Sequence, residues 1–190
     1  MKMNEIKCIA ELREMKARVT LLKALLNSMG DAAKIITDHT LAELEDDFLH
    51  IQKHLNLAWH YLCLPEIGID GISKGKLQHT AKKVPYYFND YHLTDSFSSN
   101  RVTKSSLGHA SWELVEIAAH TKSLIDEIGS TSLENGYDRG FQVLFGQLQQ
   151  HLNLAWHYLA IGESNPWDAG FEEYLRLSYS IPNYKRCLEI

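Results

Sequence analysis

From His54 to Leu62 the chain reads HLNLAWHYL, and the same nine residues run again from His151 to Leu159. Nine residues span about two and a half turns of α-helix, so they point in every direction around its axis. A strip held only by core packing would keep its inward third and let the rest drift. The unbroken identity therefore predicts internal duplication and a helix touched on several sides.

Working backward from each copy, the repeat widens into a helical hairpin. A first helix over about residues 4–29 places Ile9, Leu12, Met15, Val19, Leu22, Leu25, Leu26 and Met29 on one stripe at three- and four-residue steps. Gly30 is its expected stop. Thr40, followed three residues later by Glu43, predicts a capping box opening a second helix, which Pro65 ends. Its inward stripe is Leu41, Leu44, Phe48, Ile51, Leu55, Trp59 and Leu62. A third helix, about 106–128, follows the first at an offset of 99, with Gly129 standing for Gly30 and Leu114 for Met15. A fourth, about 138–161, follows the second at an offset of 97, with Phe145 for Phe48 and Gln149 for Gln52.

These patterns predict an all-α fold: a four-helix bundle made of two duplicated helical hairpins, repeats about 4–64 and 106–162, within a single domain over 1–190. Residues 65–108, rich in turn formers at both ends, read as a long crossover connection with a short helix around 73–83. Asn165 and Pro166 predict the start of a short C-terminal helix over about 166–178, within a final segment 163–190.

Composition narrows the partners. A hydrophobic fraction of 45% and a charged fraction of 23% are ordinary for a globular chain. No stretch has the 18 or so uninterrupted apolar residues of a membrane span. Glu5, Glu11 and Glu14 interrupt the N-terminal apolar runs, unlike a secretory signal, and Cys8, Cys63 and Cys187 form no CxxC pattern. The expected location is cytoplasmic. Net charge is −5, concentrated toward the C-terminal part. Lys74, Lys76, Lys82 and Lys83 stand near Tyr86, Tyr87 and Phe88, but a nucleic-acid binder normally carries a basic face over the whole domain, and nucleic acid is not the expected partner.

Within the repeated strip, Leu55, Trp59 and Leu62 define the core direction; His54, Ala58 and Tyr61 lie along one edge and Asn56 and His60 along the other. Buried His, Asn and Tyr in helical cores are usually hydrogen-bonded structural groups. The chemical reading pairs them with carboxylates at the border of the first-helix stripe. Packing of the hairpins would bring Glu14 toward His54 and Glu113 toward His151, and an imidazole steadied by a carboxylate is half of a bundle metal site. His54, His151, Glu14 and Glu113 are thus the candidate ligands of a transition metal, with His60 and His157 in reserve. His39/Glu43, His50/His54 and His109/Glu113 have ligand-like spacings, but His50 becomes Gln147 and Glu43 becomes Gly140 in the second copy.

No P-loop, GxSxG, HExxH or dinucleotide fingerprint occurs in the sequence. Three readings of function follow. The first is a non-enzymatic bundle acting through contacts with itself or another protein, its repeated strips forming a central seam. The second is a metal-dependent bundle protein, an oxidoreductase or a hydrolase. The third is a small-ligand pocket between the hairpins, formed by Asn56, Trp59, Tyr61, Asn153, Trp156 and Tyr158.

Overall fold

The computed structural model describes residues 2–31, 37–63, 102–130 and 139–161. They form four α-helices: α1 (Met3–Asp31), α2 (Asp38–Cys63), α3 (Lys104–Ser130) and α4 (Arg139–Ile161). Among the described residues there is no strand, in keeping with an all-α bundle. The helices expected at 73–83 and 166–178 lie outside the described residues, as do Cys187 and the basic segment from Lys74 to Phe88.

Three helix starts follow from side chains that satisfy otherwise unpaired amides. Before α1, the Lys2 backbone N–H donates to Glu5 Oε2 at 2.7 Å. At α3, Thr103 N–H donates to Ser106 Oγ at 2.8 Å and Ser106 N–H donates back to Thr103 Oγ1 at 3.1 Å, a reciprocal cap with serine in the usual place of glutamate. At α2 the cap lies one turn earlier than the sequence suggests. Thr37 Oγ1 accepts from Thr40 N–H at 3.2 Å and Leu41 N–H donates to the Thr37 carbonyl at 3.1 Å, so Thr40 is already inside the helix. The expected glycine stops are also corrected. Gly30 and Gly129 sit within the last turns of α1 and α3, neither in a left-handed conformation.

α1 packs on α2 and α3, and α4 packs on α3 and α2, closing a ring of four helices. Side-chain contacts fix the directions. Glu11 meets His54 and Arg18 meets Asp47, so α1 and α2 run antiparallel. Ser111 Oγ donates to Asn27 Oδ1 at 2.8 Å, joining the start of α3 to the end of α1. Phe48 meets Trp156 and Trp59 meets Phe145, which sets α2 antiparallel to α4. The end of α2 and the start of α3 therefore lie at opposite ends of the bundle.

The expected stripes form the core. Leu12, Met15, Val19 and Leu22 of α1 and Leu44, Phe48 and Ile51 of α2 are fully buried, as are Leu114 and Leu124 of α3 and Leu159 of α4. Each such side chain removed from water contributes roughly 1.5–3 kcal/mol, against the conformational entropy lost on ordering it. In α2 and α4, buried positions correspond at the expected offset of 97, with Leu44 for Phe141, Phe48 for Phe145, Ile51 for Leu148 and Leu55 for Leu152. In α1 and α3 they correspond at 102, not 99: Cys8 with Ala110, Leu12 with Leu114, Met15 with Ile117, Val19 with Thr121, Leu22 with Leu124 and Leu26 with Ile128. The three-residue difference is nearly one helical turn, which moves each residue along the same stripe and leaves the hydrophobic pattern almost intact.

Candidate metal centre

The repeated strip lies where the two hairpins meet. Phe48 packs edge-on against Trp156, centroids 5.5 Å apart and planes at 90°, and Trp59 packs against Phe145 at 5.0 Å and 69°. Between these aromatic pairs two glutamines face each other across the seam. Gln52 Nε2 donates to Gln149 Oε1 at 2.6 Å, and Gln149 Nε2 donates to Gln52 Oε1 at 2.7 Å. The second hydrogen of each amide goes to its own helix, to Asn56 Oδ1 at 2.9 Å and Asn153 Oδ1 at 2.8 Å. All four side chains are buried. The contacts of one hairpin are thus repeated, reversed, by the other, as around an approximate two-fold axis.

This arrangement accounts for the aromatic residues proposed as pocket walls. Trp59 and Trp156 pack on phenylalanines of the opposite hairpin, and Tyr158 stacks on His109 at 4.8 Å. Tyr61 lies beneath the Lys7 ammonium, 5.8 Å from the ring centroid. Asn56 and Asn153 belong to the buried amide chain. Of the reserve histidines, His157 is buried, and the His60 side chain lies outside the described residues.

The carboxylate–histidine pairs form on the outer side of each hairpin. His151 Nδ1 donates to Glu113 Oε2 at 2.7 Å, the pairing anticipated from the sequence. In the other hairpin His54 Nδ1 donates to Glu11 Oε2, also at 2.7 Å, so Glu11 takes the place expected of Glu14, which is exposed one turn away. The corrected offset of 102 explains this, because Glu113 corresponds to Glu11 and Glu116 to Glu14. A carboxylate oxygen only accepts, so the proton sits on Nδ1 of each histidine and the lone pair is left on Nε2.

Around His151 the cluster grows. Glu116, His120 and His151 each offer a ligand atom, and these atoms all lie within 4.8 Å of one another. The two imidazoles are nearly parallel, centroids 5.2 Å apart and planes at 21°. Glu116 and His120 stand one turn apart on α3, so both side chains leave the same face, and His151 reaches them from α4. All three are half-buried. Four-coordinate zinc, with bonds of about 2.0–2.1 Å, sets its donors roughly 3.4 Å apart. Side-chain rotations closing the triangle by up to about 1.4 Å would meet that geometry. Glu113, buried behind His151, fixes the ring's tautomer and aim from outside the triangle.

Of the four expected ligands, the structure brings His151 and Glu113 to this cluster and keeps His54 with Glu11 in the other hairpin. Glu116 and His120 were the residues missed. Their signal was present as a Glu-x-x-x-His spacing, but a search for ligands shared by both repeats passes over it, because Arg18 corresponds to His120.

These features define a helical bundle with a glutamine-paired seam and a two-histidine, one-carboxylate cluster on one flank. No family model, no curated protein and no solved structure matches the chain. Among the described residues, no helix is long and apolar enough to cross a membrane.

Proposed function

We propose that this chain is a transition-metal-dependent bundle protein, with Glu116, His120 and His151 as ligands and Glu113 as the carboxylate that orients His151. The observation that carries this reading is the convergence of ligand atoms of three side chains within 4.8 Å while a fourth, Glu113, already holds the Nδ1 side of the His151 ring by hydrogen bond. Two imidazoles and one carboxylate suit Zn2+ or Fe2+ and leave coordination positions for water or substrate. A zinc ion there would serve as a Lewis acid for hydrolysis; an iron ion would serve oxidation. In the same proposal, the two hairpins descend from one duplicated unit, and the connection between α2 and α3, expected over 65–108 but ended by the start of α3 at Lys104, crosses over the length of the bundle.

The test is elemental analysis and calorimetric titration of protein purified without a histidine tag. Binding that is lost in His120→Ala and His151→Ala supports the reading. At a hundredfold excess over its dissociation constant, a bound ion should also stabilise the fold by about 2.7 kcal/mol. Less than about a tenth of an equivalent of any transition metal after loading would overturn it.

A further inference from the structure

We infer that the bundle binds metal in one hairpin only, and that one helical position, Arg18 in α1 against His120 in α3, decides which. This rests on the metal-binding reading above and adds its stoichiometry and its selectivity between two nearly equivalent places.

The two flanks share a scaffold. Each has an α2- or α4-borne histidine held at 2.7 Å by a carboxylate of the neighbouring helix, Glu11 for His54 and Glu113 for His151. Each has a second glutamate one turn further along, Glu14 in α1 and Glu116 in α3. They part at several corresponding positions, among them His50, whose Nδ1 is engaged by the Asp46 carbonyl at 2.8 Å, against Gln147. Two of these differences bear directly on the ligand that the second flank gains. Where α3 has His120, α1 has Arg18; where α4 has Leu144, α2 has Asp47. In the second hairpin the imidazole of His120 supplies a lone pair to the cluster. In the first, the Arg18 guanidinium is a cation with five N–H donors and no lone pair to give. It pairs with Asp47 at 3.6 Å, so the substitutions come as a set: a fixed cation and its counter-ion in one hairpin, a ligand and an apolar neighbour in the other. A second metal ion would have to approach that fixed positive charge with one imidazole fewer to hold it.

His54 and Glu11 are then a structural pair that ties α1 to α2. His151 and Glu113 form the same pair with an added task. Reaction chemistry in this near-symmetric bundle is confined to the α3–α4 flank.

The experiment exchanges the differing residues in the full-length, untagged chain. Zn2+ binding is measured by calorimetry and Co2+ binding by visible absorption, with circular dichroism checking the fold. The parent should bind one ion. His120→Arg with Leu144→Asp should abolish binding while the helices remain. Arg18→His with Asp47→Leu should raise binding to two ions, and adding Glu14→Gln should return it to one. Two ions bound by the parent overturn the inference, as does binding that survives the first exchange. So does a folded second variant that still takes one ion. If that second variant fails to fold, the first exchange decides alone. A parent that binds none removes the metal reading itself, an outcome distinct from a parent that binds one ion whose place does not follow the exchanges.

Discussion

At the scale of single residues, the seam and the flank make opposite use of polar groups. Gln52 and Gln149 spend both amide hydrogens and both carbonyl oxygens on neighbours, so each is satisfied in a fully buried place. Replacing one of them by leucine strands the other's donor and acceptor. Gln52→Leu or Gln149→Leu alone should cost about 1–3 kcal/mol in urea unfolding. The double replacement should cost clearly less than the sum of the singles, because an apolar pair strands neither glutamine's donor nor its acceptor. Additive losses in the four-variant cycle would mean that the glutamines are not coupled. On the flank, Asp47 behaves differently. Burial raises its carboxyl above the ordinary 3.8, with Arg18 and His50 pulling it back and Asp46 and Glu43 adding to the rise. A raised folded value means that the native state binds this proton more tightly than the unfolded chain. Its contribution to stability is therefore best below 3.8 and declines as pH rises through the folded value. Asp47→Asn should consequently gain thermal stability relative to the parent as pH climbs from acid to neutral. A difference that stays flat or shrinks over that interval would show that the Arg18 pairing outweighs burial.

At the scale of elements, the apolar stripes were legible because each helix is long and its period is clear, whereas the register between repeats was not. Sliding α3 by three residues against α1 still lays Leu114 on Met15 and Ile128 on Met29, both buried pairs. Hydrophobic pattern alone cannot reject a slip so near one turn. Glu113 was consequently equated with Glu14 when its structural counterpart is Glu11, and His120 with Leu21 when it is Arg18. The nine-residue identity fixed the other register, since an unbroken match tolerates no slip. Its spread around the helix is also explained: Trp59 turns toward α4, His54 turns toward α1, and Asn56 holds the Gln52 amide on its own helix. The helix-start misreading has a similar local cause. Thr37 and Thr40 are both sound caps in sequence, and only the backbone geometry distinguishes them. Thr37→Ala should lose about 1 kcal/mol by removing the oxygen that accepts from the Thr40 amide. Thr40→Ala should lose less, since its hydroxyl bonds only to Thr37 Oγ1. Equal losses in thermal unfolding, or a larger loss at Thr40, would restore Thr40 as the cap.

At the scale of the whole molecule, the reversed contacts across the seam imply that each hairpin carries a nearly self-complementary face. Phe48 meets Trp156, whose counterpart is Trp59 of the same hairpin as Phe48, and Gln52 meets its own counterpart. Two copies of the first hairpin could therefore pair as the two hairpins of one chain do, Phe48 on Trp59 and Gln52 on Gln52. One contact argues for the intact chain over such a dimer. Ser111 of α3 donates to Asn27 of α1, but the residues corresponding to them are Ile9 and Gly129. Pairing two first hairpins would set Asn27 against Ile9, and pairing two second hairpins would set Ser111 against Gly129, so neither dimer makes this hydrogen bond. The joined hairpins thus hold a polar specificity that neither hairpin reproduces with itself, and the covalent link further removes the entropy of association. The prediction is that residues 1–64, expressed alone, form a helical dimer that is weaker than the intramolecular pairing. Helicity should rise with concentration, and sedimentation should follow a monomer–dimer equilibrium. A fragment that is helical and strictly monomeric, or unfolded at every concentration, would show that the seam is not self-complementary and that its symmetry is one of shape without matching energy.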